Sequence, residues 1–156
     1  MPQPDGTRSP LPLALQVLRD ELQGLDAGFA ALAKVEDGGE RAARRSDLLR
    51  GLDRYLRLEH EVFHPVLARK GIEHGEAVAS HDQLRAALAE IGGSTARTQS
   101  EPQGALDNVR SAFCAHWQVQ EQSTFPRAAR ELGEELPGLA VELQEVRSRM
   151  KGAYGV

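Results

Sequence analysis

Apolar residues recur every third or fourth position along four long stretches of this chain, and nowhere do apolar and polar residues alternate as in a strand. The first stretch, 11–35, carries Leu15, Leu18, Leu22, Leu25, Phe29 and Leu32, with Gly24 and Gly28 weakening the helix without ending it. The second, 40–70, carries Leu48, Leu49, Leu52, Leu56, Phe63, Val66 and Leu67; Pro65 is expected to kink it and Gly71 to stop it. The third, 74–91, carries Val78, Leu84, Leu88 and Ile91 before "GGSTARTQSEPQG", the longest loop-like run in the chain. The fourth, 105–132, carries Leu106, Val109 and Phe113 with a second internal proline, Pro126, and a short helix over 139–150 follows. Long amphipathic helices with short connections pack most economically as antiparallel neighbours. The expected fold class is therefore all-α, an up-down-up-down four-helix bundle with a short additional C-terminal helix.

A chain of 156 residues, 40% hydrophobic and 27% charged, has enough apolar material for one core. Residues 1–10, rich in proline and polar side chains, read as a flexible leader ahead of a single domain over 11–156. With 23 acidic against 19 basic side chains the net charge is -4, which argues against nucleic acid as a partner. The single cysteine, Cys114, cannot make an internal disulfide, and no segment has the apolar length of a membrane span, so a cytoplasmic protein is expected.

Each long stripe is interrupted by polar residues. Glu21 lies between Leu18 and Leu25; Glu59 follows Tyr55 by one turn in "YLRLEHEVFHPVL"; His81 lies between Val78 and Leu84; His116 and Gln120 follow Phe113. A polar group aimed at a core costs free energy unless it finds a partner. At about 1.5 Å of rise per residue, all six reach roughly the same level of an antiparallel bundle. Two imidazoles, two carboxylates, a phenol and an amide converging in an apolar interior have the composition of a metal site, because one cation partners all of them. The chain also repeats itself in register: "YLRLEHEVFHP" over "HWQVQEQSTFP" pairs Tyr55 with His116, Glu59 with Gln120 and Pro65 with Pro126, while "RDELQ" over "SHDQL" pairs Glu21 with His81. Two corresponding helical hairpins make two metal positions related by a pseudo-twofold axis.

In these motifs the chain resembles the hemerythrin-like (HHE) domains over about residues 13 to 132. "SHDQL" is similar to the third-helix motif with His81, "HWQVQEQSTFP" to the fourth with His116 and the trailing Phe-Pro, and "YLRLEHEVFHP" to the second with Glu59 in the carboxylate place. The resemblance implies a four-helix bundle with a non-heme di-iron centre that binds or reduces O₂, peroxide or NO. Three ligand positions depart from the pattern: Glu21 and Tyr55 stand where the family has His, and Gln120 where it has Glu. Glutamate and phenolate remain hard donors, whereas a neutral amide is a poor one, which makes neighbouring Glu121 a candidate to supply the carboxylate. Three readings follow. Two irons are bridged by Glu59 and Glu21, with His81, His116 and Tyr55 as further ligands; or one iron or zinc is held by Glu59, His81 and His116; or the metal is lost and a buried hydrogen-bond network remains in an interaction module. The chain is expected to act as a monomer or homodimer on a small diatomic or peroxide ligand.

Other residues have plainer readings. Gln120 fits a hydrogen-bond donor beside the centre better than a ligand. His60 and His64 fall about 100° and 140° around a regular helix from Glu59, on the rim, with His60 as a spare ligand at most. His74 reads as a surface residue, and Trp117 and Cys114 as packing. Arg50, Arg54 and Arg57, interleaved with Glu40, Asp47 and Asp53, read as a solvated helix face. No nucleophilic triad and no glycine-rich phosphate loop is present.

Overall fold

The computed structural model describes residues 10–98 and 104–153, the side chains of 92–98 and 152–153 excepted. Residues 1–9 of the leader expected over 1–10 and the loop residues 99–103 lie outside this range. Among the described residues every regular element is helical: α1 (Leu13–Lys34), α2 (Gly38–Leu58), α3 (His64–Arg69), α4 (Gly75–Thr98), α5 (Ala105–Val119), α6 (Phe125–Glu131) and α7 (Leu136–Ala153). None is long and apolar enough to cross a membrane.

α1 buries the face that its periodicity marks out. Leu15, Leu18, Leu22, Leu25, Phe29 and Leu32 are all withdrawn from solvent, each contributing about 1.5–3 kcal/mol by burial. α2 opens on Asp37, whose side chain accepts the backbone N–H of Glu40 at 2.8 Å and satisfies one of the donors that a helix start leaves over. Gly51 lets α1 and α2 approach closely, since a Cβ there would meet Leu25 at 3.0 Å. Gly71, at φ 69°, ends α3 in the left-handed conformation, and the Ile72 N–H returns to the Leu67 carbonyl at 2.9 Å, a helix stop that glycine accommodates without strain.

Three expectations are corrected. α4 continues through Gly92 and Gly93 to Thr98 instead of ending at residue 91. Its inward face is Ala77, Ser80, His81, Leu84 and Ile91, while Val78 is 37% exposed, so the stripe holds at His81, Leu84 and Ile91 but starts on Ala77 in place of Val78. α7 is no short cap: its 18 residues bury Leu139, Leu143, Val146 and Met150 and pack along α1 and α2.

The two prolines are absorbed by π-helical turns. Glu59–Phe63 joins α2 to α3, and Gln120–Thr124 joins α5 to α6. In each, an N–H reaches back five residues, His64 to the Glu59 carbonyl and Phe125 to the Gln120 carbonyl, immediately before the proline that has no N–H to give. A residue five positions on thereby sits nearly above its starting residue, rather than well around the helix as in α geometry. The two turns fall on the residues that the sequence repeat pairs, and both lie at the candidate site.

Candidate metal centre

Glu59 is completely buried at the first residue of the first π turn. Its Oε1 stands 3.0 Å from His81 Nδ1 on α4 and 2.8 Å from His116 Nε2 on α5; its Oε2 is 3.0 Å from the same His116 nitrogen. Tyr55, one turn earlier, donates its hydroxyl to Oε2 at 2.8 Å, and Gln120 donates its amide Nε2 to the same oxygen. Gln120 also reaches the Tyr55 hydroxyl at 3.4 Å. Five of the seven residues singled out in the sequence thus meet around one carboxylate.

Hydrogen-bond chemistry assigns the orientations. Ser80 donates its hydroxyl to the Ala77 carbonyl at 3.2 Å and lies 2.6 Å from His116 Nδ1. Nδ1 of His116 thus faces Ser80, and Nε2 is the nitrogen turned to Glu59. A bare nitrogen lone pair facing carboxylate lone pairs at 2.8 Å is repulsive, so a proton or a metal ion belongs between them. Gln120 must present its NH₂ to Glu59, which leaves its Oε1 buried without a hydrogen-bond partner. That atom is an acceptor in want of a donor or a cation.

Two sequence candidates stand outside this group. Glu121 is gripped by Arg19 of α1, Nε to Oε2 at 2.8 Å and Nη2 to Oε1 at 2.6 Å, and accepts the Trp117 indole N–H at 3.2 Å. Glu21 pairs with Arg54 at 3.5 Å and lines a groove between α1 and α2 beside Gly24, Gly28 and Gly51. Arg54, read from sequence as part of a solvated face, is largely covered, its side chain 17% exposed. His64 and Ser80 are the residues that sequence reasoning missed. The π turn brings His64 beside the cluster, and its ring centre lies 5.1 Å from that of His81. Ser80 gave no signal, because a small polar residue does not mark a stripe.

No family model matches this chain. Neither curated proteins nor solved structures offer a match. Its reading therefore rests on the geometry and on the motifs themselves.

Burial alone pushes the Glu59 carboxyl up, but the His116 imidazole and the bonds from His116 and His81 draw it well below the usual carboxylate range. Burial, then the Glu59 charge, raises the Tyr55 phenol far above its ordinary value, so it stays protonated and serves as a donor. Burial pushes His64 down to about 4, with Glu59 opposing in part. A histidine held neutral in the fold leaves the unfolded chain binding the extra proton, so stability rises with pH. Chelator-stripped protein is therefore expected to lose stability as pH falls from about 6.5 to about 4, by at most about 3 kcal/mol from this residue. Denaturant melts of the His64→Gln variant should have a flatter pH profile across that window, and an unchanged profile would remove His64 from the effect.

The three atoms that Glu59, His81 and His116 offer lie within 4.8 Å of one another, all in buried residues. Donors each about 2.1 Å from one ion stand about 3 Å apart at right angles, close to the 2.8 to 3.0 Å between the carboxylate and its two histidines. The group could hold a metal ion.

Proposed function

We propose that this chain is a metal-binding protein in which Glu59, His81 and His116 hold one transition-metal ion, a modified non-heme iron centre of the kind the hemerythrin-like resemblance implies. The observation that carries the reading is the buried convergence of those three donors at ligand spacing. Two histidines and a carboxylate suit non-heme iron(II) and catalytic zinc alike. Ser80 holds the His116 ring through Nδ1 at 2.6 Å, the usual task of a partner behind a metal-bound imidazole. Tyr55 and Gln120 turn hydrogens rather than lone pairs toward Glu59, which makes them orienting groups. With Glu21 engaged by Arg54 and Glu121 by Arg19, one ion is favoured over two. Iron bound here would supply binding or reduction of O₂, peroxide or NO. The protonated Tyr55 hydroxyl, 2.8 Å from Glu59, is the proton donor nearest such chemistry.

A second reading has its own support. Glu59 receives hydrogens from Tyr55 and Gln120 and faces both imidazoles at hydrogen-bond distance, so a single proton on His116 would complete a metal-free network. Elemental analysis of purified chain separates the two. About one iron or zinc is expected at this centre in each chain; none, with no uptake after reconstitution, would leave the hydrogen-bonded module.

A further inference from the structure

All five histidines of the chain belong to one contiguous group. From His116 the ring centres run to His81 at 6.1 Å, from His81 to His64 at 5.1 Å and from His64 to His74 at 5.7 Å, with His60 6.5 Å from His81. His116 and His81 face Glu59. His64 and His74 lie beyond them, toward the start of α4, where His74 is only half-buried.

Two features of this outer pair call for a ligand. His64 Nε2 is buried with no hydrogen-bond partner, which costs the fold free energy that a bound ligand would offset. His74 Nδ1 lies 2.7 Å from the Ile72 carbonyl; a carbonyl only accepts, so Nδ1 carries the hydrogen and Nε2 keeps its lone pair. Two imidazoles that share one ion at about 2.1 Å per nitrogen have ring centres roughly 5 to 6 Å apart, and this pair stands at 5.7 Å.

We propose that His64 and His74 form a second, outer cation site that takes a divalent transition-metal ion of imidazole preference, such as zinc, cobalt or nickel, with water completing its coordination. Such ions prefer imidazole nitrogen, whereas magnesium and calcium prefer oxygen. His64 is presented by the first π turn and His74 by the residue before α4, so the pair forms only when both elements are in place. The site goes beyond the Glu59 centre and does not require it to be filled.

Calorimetric titration of zinc into chelator-stripped full chain tests this with three variants. Wild type is expected to give two binding events. His74→Ala should lose the outer event or weaken it at least about tenfold, the lower end of what loss of even an orienting partner costs a metal site, while the inner event persists. His74→Gln should behave alike, since its amide can still donate to the Ile72 carbonyl without supplying an imidazole; Glu59→Gln should lose the inner event and keep the outer. An isotherm for His74→Ala and His74→Gln that matches wild type overturns the outer site. Loss of the Glu59-dependent event alone, or its absence from wild type, bears on the inner centre instead.

Discussion

Glu59→Gln is expected to weaken metal binding by at least about a hundredfold, beyond the 10- to 100-fold that loss of an orienting partner costs. Glu59 is the one anionic group among the three converging donors, and its replacement keeps the shape while removing the charge. In chelator-stripped protein the same change brings the new amide NH₂ against the Gln120 amide and the His116 imidazole, both of which now bond to a carboxylate. A buried donor left unsatisfied costs about 1–3 kcal/mol. Glu59→Leu goes further and deprives Tyr55 and Gln120 of their acceptor and both imidazoles of their carboxylate, so it should fail to fold or lose more than about 4 kcal/mol. Metal dialysis and denaturant melts of Glu59→Gln read the two effects separately. Retention of full metal affinity would remove the carboxylate from the centre.

Arg19→Ala is expected to lower stability by about 3 kcal/mol with metal content unchanged. The pair with Glu121 is two-pronged and nearly enclosed, the side chains 14% and 5% exposed. Fork-to-carboxylate bonds of this kind are among the stronger polar contacts, and removing one partner forces the other charge to persist where water reaches it poorly. The contact ties α1 to the second π turn, so its loss should be felt across the helices rather than locally. An Arg19→Ala chain that takes up an additional ion would mean that the released Glu121 had become a ligand, as the sequence alone suggested.

Much of the fold was legible because burial sets helical periodicity directly. The α1 stripe is buried at every position that its spacing marks, and Glu59, His81 and His116 were visible as heteroatoms on apolar lines. Less legible was anything decided between helices. Glu21 and Glu121 each sit near the stripes, but Arg54 and Arg19 meet them across α1–α2 and α1–π-turn contacts that no local pattern encodes. The π turns were hidden for a related reason. Pro65 and Pro126 in register signalled a shared feature, yet a few backbone hydrogen bonds decide whether a helix kinks before a proline or inserts a residue. That choice moved His64 from the rim to a place beside His81. Only the start of the α4 stripe was misplaced, because Ala77 and Ser80 are too small to stand out beside Val78.

The central claim, that Glu59, His81 and His116 surround one ion, is tested most directly by anomalous X-ray scattering from crystals of metal-loaded protein, recorded on both sides of the metal's absorption edge. The expected result is a single strong peak about 2.0–2.3 Å from the Glu59 carboxylate and the two imidazoles, with any weaker peak at His64 and His74. A map with no peak among those three residues, or with its strongest peak at Glu21, would contradict it.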